Sequence, residues 1–343
     1  MSLDHVDLDG HDRPLVVGVD VGGTKIAVLV VDRAERVLAR EVADTAAGPQ
    51  DGATDQIATV VERTLRSANA HINQVAAIGV GVPGRVDPLT GAVTLAVNLG
   101  WSHLPLGAQL EARFGRPCVV ENDVRAAAYG LHRRRVVGEV DDLAYLAVGT
   151  GVSAGVVLHG RLHRGARGLA GEIGHVVVDS SGARCACGER GCLETFISGA
   201  AIARLAREAI ETGRATSLRG PIEPTAVDVY RAAAGGDPVA IEIADSVGRR
   251  LAWAIHLLVM TYDVERIVLG GGVSHAGATF LRPVEEELDR LRSTSELARE
   301  QLVPGIAQLL PPGADAGAWG AVSIAGAAQT GKRRREVGHV QDA

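Results

Sequence analysis

The sequence predicts an α/β protein of sheets covered by helices, and three observations carry that expectation. Strand-like runs of Val, Ile and Leu alternate with helix-like runs along nearly the whole chain, with no disordered linker between them. Aromatic residues make up only 3% while glycine numbers 43, a composition suited to small side chains at close backbone approaches. A strand–glycine turn–strand pattern occurs twice, once near the start and once near the middle, a sign of duplicated halves.

The first firm element is LVVGVDVGGTKIAVLVVD, where β-branched runs flank Gly22, Gly23, Thr24 and Lys25 and read as strand, tight turn, strand. TDQIATVVERTLRSAN is an amphipathic helix and VAAIGVGVP a buried strand. PCVVEND is a strand ending in polar residues, and VRAAAYGLHRR is the helix it feeds. The turn pattern returns in LAYLAVGTGVSAGVVLHGR, with Gly149, Thr150 and Gly151 at the bend. GAAIARLAREAIETG and DPVAIEIADSVGRRLAWAIHLLVMTYD are helical, ERIVLGGGV is strand then glycine turn, and FLRPVEEELDRLR is a further helix. AWGAVSIAGAAQTG reads as a small-residue helix packed closely on a neighbour.

At 343 residues the chain is long enough for two domains with separate cores. Charge is mixed and the net balance of −6 argues against a polyanion-binding surface, so no nucleic-acid partner is expected. LAWAIHLLVM is too short to span a bilayer and carries His256, and MSLDHVDLDGHDRP lacks a secretory apolar core, so neither membrane nor export is expected and the cytoplasm is. Residues 1–13 and 331–343 read as disordered tails, with KRRR part of the second.

No Walker-type phosphate loop or dinucleotide fingerprint is present. The glycine turns still offer phosphate chemistry, because glycines let backbone N–H groups converge on an anion, and Thr24 and Thr150 add hydroxyls. Gly270, Gly271 and Gly272 form a third such segment, and Asp20, ending the first strand, could hold Mg²⁺ directly or through water. The competing reading is ordinary hairpin turns.

Three of the four cysteines, Cys185, Cys187 and Cys192, fall within CACGERGC, and His175 lies upstream in GEIGHV. Three thiolates and an imidazole make a closed four-ligand set that suits a structural zinc with no open position for water. The alternatives are reduced structural cysteines or a redox pair, although C-x-C is less usual than C-x-x-C for dithiol exchange. Asp123 stands where a strand meets a helix, the end at which open α/β sheets bind ligands, and could take a proton from a hydroxyl. It could equally be a helix N-cap. Glu172, His175 and Glu194 would gather around a metal clip as groups aimed at sugar hydroxyls, or be surface charges.

Together these motifs resemble the ROK family of repressors and kinases, in the actin-like sugar-kinase superfamily, from about Leu15 to about Gln329. DVGGTK looks like the family's first phosphate segment, GTGVSAGVVLHGRLHRGARGLAGEIGH its signature stretch, CACGERGCLE its zinc pattern and VVEND its catalytic segment. The resemblance implies a two-lobed actin-like (ribonuclease H-like) fold of duplicated mixed sheets flanked by helices, with the active site between the lobes. One lobe is expected over 14–125 plus a C-terminal helix at about 317–330, the other over 126–316 with a zinc loop at 175–194. It implies ATP-dependent phosphorylation of a hexose, glucose foremost, at the 6-hydroxyl. N-acetylglucosamine, N-acetylmannosamine or fructose kinases are the alternatives, and a sugar-sensing repressor is disfavoured because the first strand begins near residue 15, before which a helix-turn-helix domain would have no room.

By the same resemblance Asp123 is the general base, and Gly84, Arg85, Asn98, Asn122, Glu172, His175 and Glu194 contact the sugar. ATP and Mg²⁺ would lie along Asp20, Gly22–Lys25, Gly149–Gly151 and Gly270–Gly272, and Zn²⁺ on His175 and the three cysteines. The expected assembly is a homodimer or homotetramer. Ser153 and Ala154 replace glycines, and Arg125 replaces an asparagine, found in many of the family's kinases.

Overall fold

The structure, a computed structural model, describes residues 15–45 and 50–338, apart from the side chains of Asp51 and residues 328–338. The chain opens with a meander of β1 (Leu15–Val21), β2 (Lys25–Val31) and β3 (Val37–Asp44), paired antiparallel. The β-branched runs of β1 and β2 are almost wholly buried, as both faces of a covered sheet require, whereas β3 lies at the edge and is exposed at every second residue. α1 (Ala53–Ser67) buries Ile57, Val60, Val61 and Leu65 on one stripe. β4 (Val75–Val82) then pairs parallel with β1. Next comes a small antiparallel sheet of β5 (Arg85–Val86), β6 (Val93–Ala96) and β7 (Trp101–Leu104). α2 (Leu106–Phe114) leads to β8 (Cys118–Asn122), parallel to β4, and β8 feeds α3 (Asp123–Arg133).

The second half repeats the scheme. β9 (Leu143–Val148), β10 (Val152–Leu158) and β11 (Arg161–His163) form an antiparallel meander. A loop follows, then α4 (Glu194–Ile197), α5 (Gly199–Glu211), α6 (Ala226–Ala234) and α7 (Pro238–Tyr262). β12 (Arg266–Gly270) pairs parallel with β9; α8 (Ala278–Thr294) and α9 (Glu296–Gln301) come next, and β13 (Ala307–Leu309) pairs parallel with β12. The two sheets, β3-β2-β1-β4-β8 and β11-β10-β9-β12-β13, thus share strand order and direction, and the turns at 22–24 and 149–151 occupy equivalent places. The duplication read from two glycine turns is a duplication of whole sheets.

The chain ends in α10 (Ala316–Gly338), which continues past the expected helix end at about 330. The rest of the expected tails, 1–13 and 339–343, lies outside the described residues. A Cβ at Gly18 of β1 would fall 2.5 Å from the Ala318 carbonyl oxygen, and one at Gly79 of β4 only 1.8 Å from that of Ala321. Glycine in both strands therefore lets α10 lie directly on the sheet. Gly130 of α3 meets Gly320 of α10 in the same way, at 2.7 Å.

Two compact units result. Among the described residues, one comprises those up to Arg134, the segment 164–168 and those from Asp315; the other comprises 135–163 and 169–314. α3 lies whole within the first unit, where its Gly130 meets Gly320 of α10. Each unit has its own core, Val17, Ile57, Val80 and Leu106 in the first, Leu146, Ile202, Leu251 and Leu269 in the second. Among the described residues no helix is long and apolar enough to cross a membrane.

Candidate functional site

In the first unit the chemistry concentrates where β8 meets α3. Asn122, not Asp123, is the N-cap: its Oδ1 accepts from Arg125 N at 3.0 Å. Its Nδ2 donates to the Gly84 carbonyl oxygen at 3.1 Å and to Asp123 Oδ1 at 3.0 Å. Asp123 is the first helical residue, half-buried, with Oδ1 also accepting from Val124 N at 2.9 Å. The capping explanation for Asp123 therefore fails, and its side chain is held at a strand end by the neighbouring amide.

Asp20, on β1, belongs to the same corner. Gly81 lies between the two acids: a Cβ there would be 3.5 Å from Asp123 Cα and 3.7 Å from Asp20 Oδ1. Gly317, in the first turn of α10, would put a Cβ 2.1 Å from Asp20 Oδ2, so the helix start presses against that carboxyl. Burial, with the charges of Asp123 and Asp315 adding to it, pushes Asp20 up to about 7. Near neutrality it exchanges a proton readily, and a cation beside it would favour the charged form.

Beneath the corner lies an ion cluster. Glu121 accepts from Arg125 Nε at 2.9 Å, from Arg164 Nε at 2.5 Å and from Asn122 N at 2.9 Å. Glu121 and Arg125 are 3% and 2% exposed, and Arg125 Nη2 is buried without a hydrogen-bond partner. Sequence reasoning missed this cluster: Glu121 lies in a strand and Arg125 sits on the helix after it, so the helical spacing rule for ion pairs does not apply, and Arg164 gave no sign either. Of the other expected residues here, Gly84 has φ +93° and a Cβ would strike the Leu95 carbonyl oxygen at 2.2 Å, which fixes glycine at that position. Asn98 lies beside Gly23, exposed, and Arg85, Thr24 and Lys25 are exposed. The Gly22 turn is closed by Gly22 N donating to Lys25 O at 2.7 Å, and Thr45 donates its hydroxyl to Gly22 O at 2.8 Å.

In the second unit, one ligand atom each from His175, Cys185, Cys187 and Cys192 falls within 4.8 Å of the others. His175 Nδ1 lies 3.6 Å from Cys185 Sγ, and Cys187 Sγ 3.6 Å from Cys192 Sγ. A tetrahedron with metal–sulfur bonds of about 2.3 Å has edges of roughly 3.5–3.8 Å, whereas a disulfide needs about 2.05 Å. The donor set thus fits zinc and not a disulfide. His175 faces the cluster with Nδ1, which leaves Nε2 on the other side of the ring. Gly188 and Gly191, at φ +103° and +70°, let the loop turn around the cluster, and a Cβ at Gly191 would overlap the Asp179 carbonyl. The Glu172 carbonyl accepts from His175 N at 3.1 Å in a short helical turn, and a Cβ at Gly171 just before it would overlap the Ala154 carbonyl of β10.

Glu194, two residues past Cys192, reaches the second glycine turn: its Oε2 accepts from Val152 N at 2.9 Å. Gly149 N donates to Gly151 O at 2.9 Å, and Gly199 N to Gly149 O at 2.8 Å. Gly271, at φ +84°, would put a Cβ 2.4 Å from Val148 O, and a Cβ at Gly149 would be 3.6 Å from Gly272 N, so the two glycine segments abut. Thr150 is exposed. Beside Gly272 lies a cavity of about 240 Å³ between α6 and α8, walled by Ala226, Val227, Tyr230, Val273, Ala276 and Thr279.

Comparison with known proteins gives the chain's family. The profile of the ROK family matches residues 16–328. A glucokinase of Halalkalibacterium halodurans is 36% identical over 80% of this chain and 84% of its own length. A putative xylose repressor of a Caldicellulosiruptor species is 32% identical over 81% of this chain and 69% of its own. The solved structure of a ROK family glucokinase from Streptomyces griseus, in complex with glucose and AMPPNP, superposes with a TM-score of 0.75 at 32% identity, covering 91% of this chain and 99% of that one.

Proposed function

The chain belongs to the ROK family, with its actin-like pair of mixed sheets, and on that premise we propose that it is an ATP-dependent hexose kinase that phosphorylates glucose at the 6-hydroxyl. The observation that carries the reading is the β8–α3 corner, where Asn122 takes the capping role and leaves Asp123 as a positioned carboxylate beside Asp20. Support comes from the glucokinase relatives and from the solved relative in complex with glucose and AMPPNP.

In this mechanism Asp123 accepts the proton of the sugar hydroxyl as that oxygen attacks the γ-phosphorus in line. The new O–P bond forms while the bond from the γ-phosphorus to the bridging oxygen breaks, and ADP leaves with that electron pair. Asn122 orients Asp123 through its amide. Gly84, Arg85, Asn98, Glu172, His175 and Glu194 contact the remaining hydroxyls. The turns at 22–25, 149–151 and 270–272 hold the phosphates through backbone N–H groups, and the cavity beside Gly272 takes the nucleoside. Asp20 would hold Mg²⁺, which neutralises phosphate charge when bound. His175, Cys185, Cys187 and Cys192 would hold Zn²⁺, which orders the loop that presents Glu194, with coordination contributing on the order of 10 kcal/mol to local folding. Assembly as a homodimer or homotetramer is part of the same reading.

The test is a substrate panel of glucose, fructose, mannose, N-acetylglucosamine and N-acetylmannosamine, offered with ATP or polyphosphate, reading sugar phosphate by mass spectrometry and ADP release. The proposal expects glucose 6-phosphate with ATP as the best pair. A different best sugar moves the assignment within the family's kinases. The repressor relative favours a second reading, a sugar-responsive transcriptional regulator; binding of sugar and an operator with no phosphorylation of any panel member would establish it and remove the kinase.

A further inference from the structure

Besides the sugar contact proposed for it, the Glu194 carboxylate makes a hydrogen bond to the backbone of the second glycine turn. Oε2 accepts the Val152 N–H at 2.9 Å, and the α-carbon of Gly151 passes so close that a Cβ there would sit 2.7 Å from the same oxygen. Glu194 begins α4 directly after Leu193, which follows Cys192. The metal loop is also stitched from behind, since Leu193 N donates to the Val176 carbonyl at 2.9 Å.

We propose that Glu194 is a positioning residue for the phosphate turn: its carboxylate ties the 149–151 turn to the metal-clipped loop and so sets the geometry with which that turn meets the phosphoryl donor. Three features support this. The turn's own closing bond, Gly149 N to Gly151 O, holds its tip, and Val152, opposite Val148 in the β9–β10 ladder, turns its N–H to Glu194 at the first amide of β10. A Cβ at Gly151 would meet only the end of the Glu194 side chain, at 2.7 Å, so glycine there leaves the carboxylate room to reach Val152 N. The loop that carries Glu194 is held by the four-ligand cluster, so the tie has a rigid far end. The inference deepens the kinase reading and rests on its assignment of 149–151 to phosphate.

The test measures binding of a fluorescent, non-hydrolysable ATP analogue in the absence of sugar, together with amide hydrogen exchange of the 149–154 segment. Glu194→Ala leaves the Val152 N–H without its acceptor, and the expected result is a weakening of nucleotide binding by about tenfold, with faster exchange at Val152. Glu194→Gln keeps an acceptor oxygen and should restore both to within about threefold of the parent chain. Gly151→Ala should push the carboxylate away and reproduce the Glu194→Ala defect, and combining the two should add little. Glu194→Ala and Glu194→Gln that bind nucleotide like the parent chain, while the KM for sugar alone rises, would overturn the inference and leave the kinase reading in place. A parent chain that binds no nucleotide would overturn the kinase reading, and this inference with it.

Discussion

Replacing Glu121 by alanine probes the framework under the β8–α3 corner. The Glu121 carboxylate is 3% exposed and receives Nε–H bonds from Arg125 and Arg164 and the Asn122 N–H. Arg125 is 2% exposed, and its Nη2 already lacks a partner. Removing the acid leaves a buried guanidinium with no counter-charge, a change that costs about 3–5 kcal/mol. Arg164, at 39% exposure, can turn to water, so its share is within about 1 kcal/mol. For a unit of this size each kcal/mol shifts melting by about 2–4 °C, so Glu121→Ala should melt roughly 6–20 °C lower. Differential scanning calorimetry with far-UV circular dichroism reads this directly. Glu121→Gln, which keeps an acceptor, should fall between, and the double change Glu121→Met with Arg125→Met should recover most of the loss, because no lone charge remains. A Glu121→Ala protein that melts with the parent, or a double variant no more stable than the single, would refute the reasoning.

Two further outcomes are expected. Asp20 is raised from 3.8 to about 7, so between those values the folded chain keeps a proton that the unfolded chain has shed, and stability falls as pH rises through that window and levels off above it. Asp20→Asn removes this dependence; in denaturant titrations its advantage over the parent should grow by roughly 2–3 kcal/mol between pH 5 and pH 8, and a pH-independent difference would contradict the assignment. Elemental analysis should find about one zinc per chain, and Cys192→Ser should lose it and expose the 175–194 loop to protease; active parent protein free of zinc would remove the metal from the account.

What the sequence made legible follows the range over which its signals act. The β-branched runs of β1, β4 and β9 announce buried strands because covered strands are apolar on both faces. The C-x-C-x₄-C spacing with His175 announced a four-ligand set because the ligands are near in sequence, and the structure brings all four together. The small sheet of β5, β6 and β7, which Gly84 immediately precedes, gave no signal, since strands of two to four residues are too short for alternation to register. Arg164 was silent because its partner Glu121 is 43 residues away. The choice of Asn122 over Asp123 as the cap lay within one residue of the reading, at the limit of what boundary signals resolve.

The most direct test of the central claim is the turnover of Asp123→Asn under saturating sugar and ATP. Asparagine keeps an oxygen to accept the Val124 N–H and the Asn122 amide, so the corner should stay folded and sugar binding should persist. It cannot take up the hydroxyl proton, and kcat should fall by about 10²–10⁴-fold with little change in the sugar dissociation constant. A kcat within about threefold of the parent, with the fold intact, would contradict the account, because general-base removal is expected to cost far more than that.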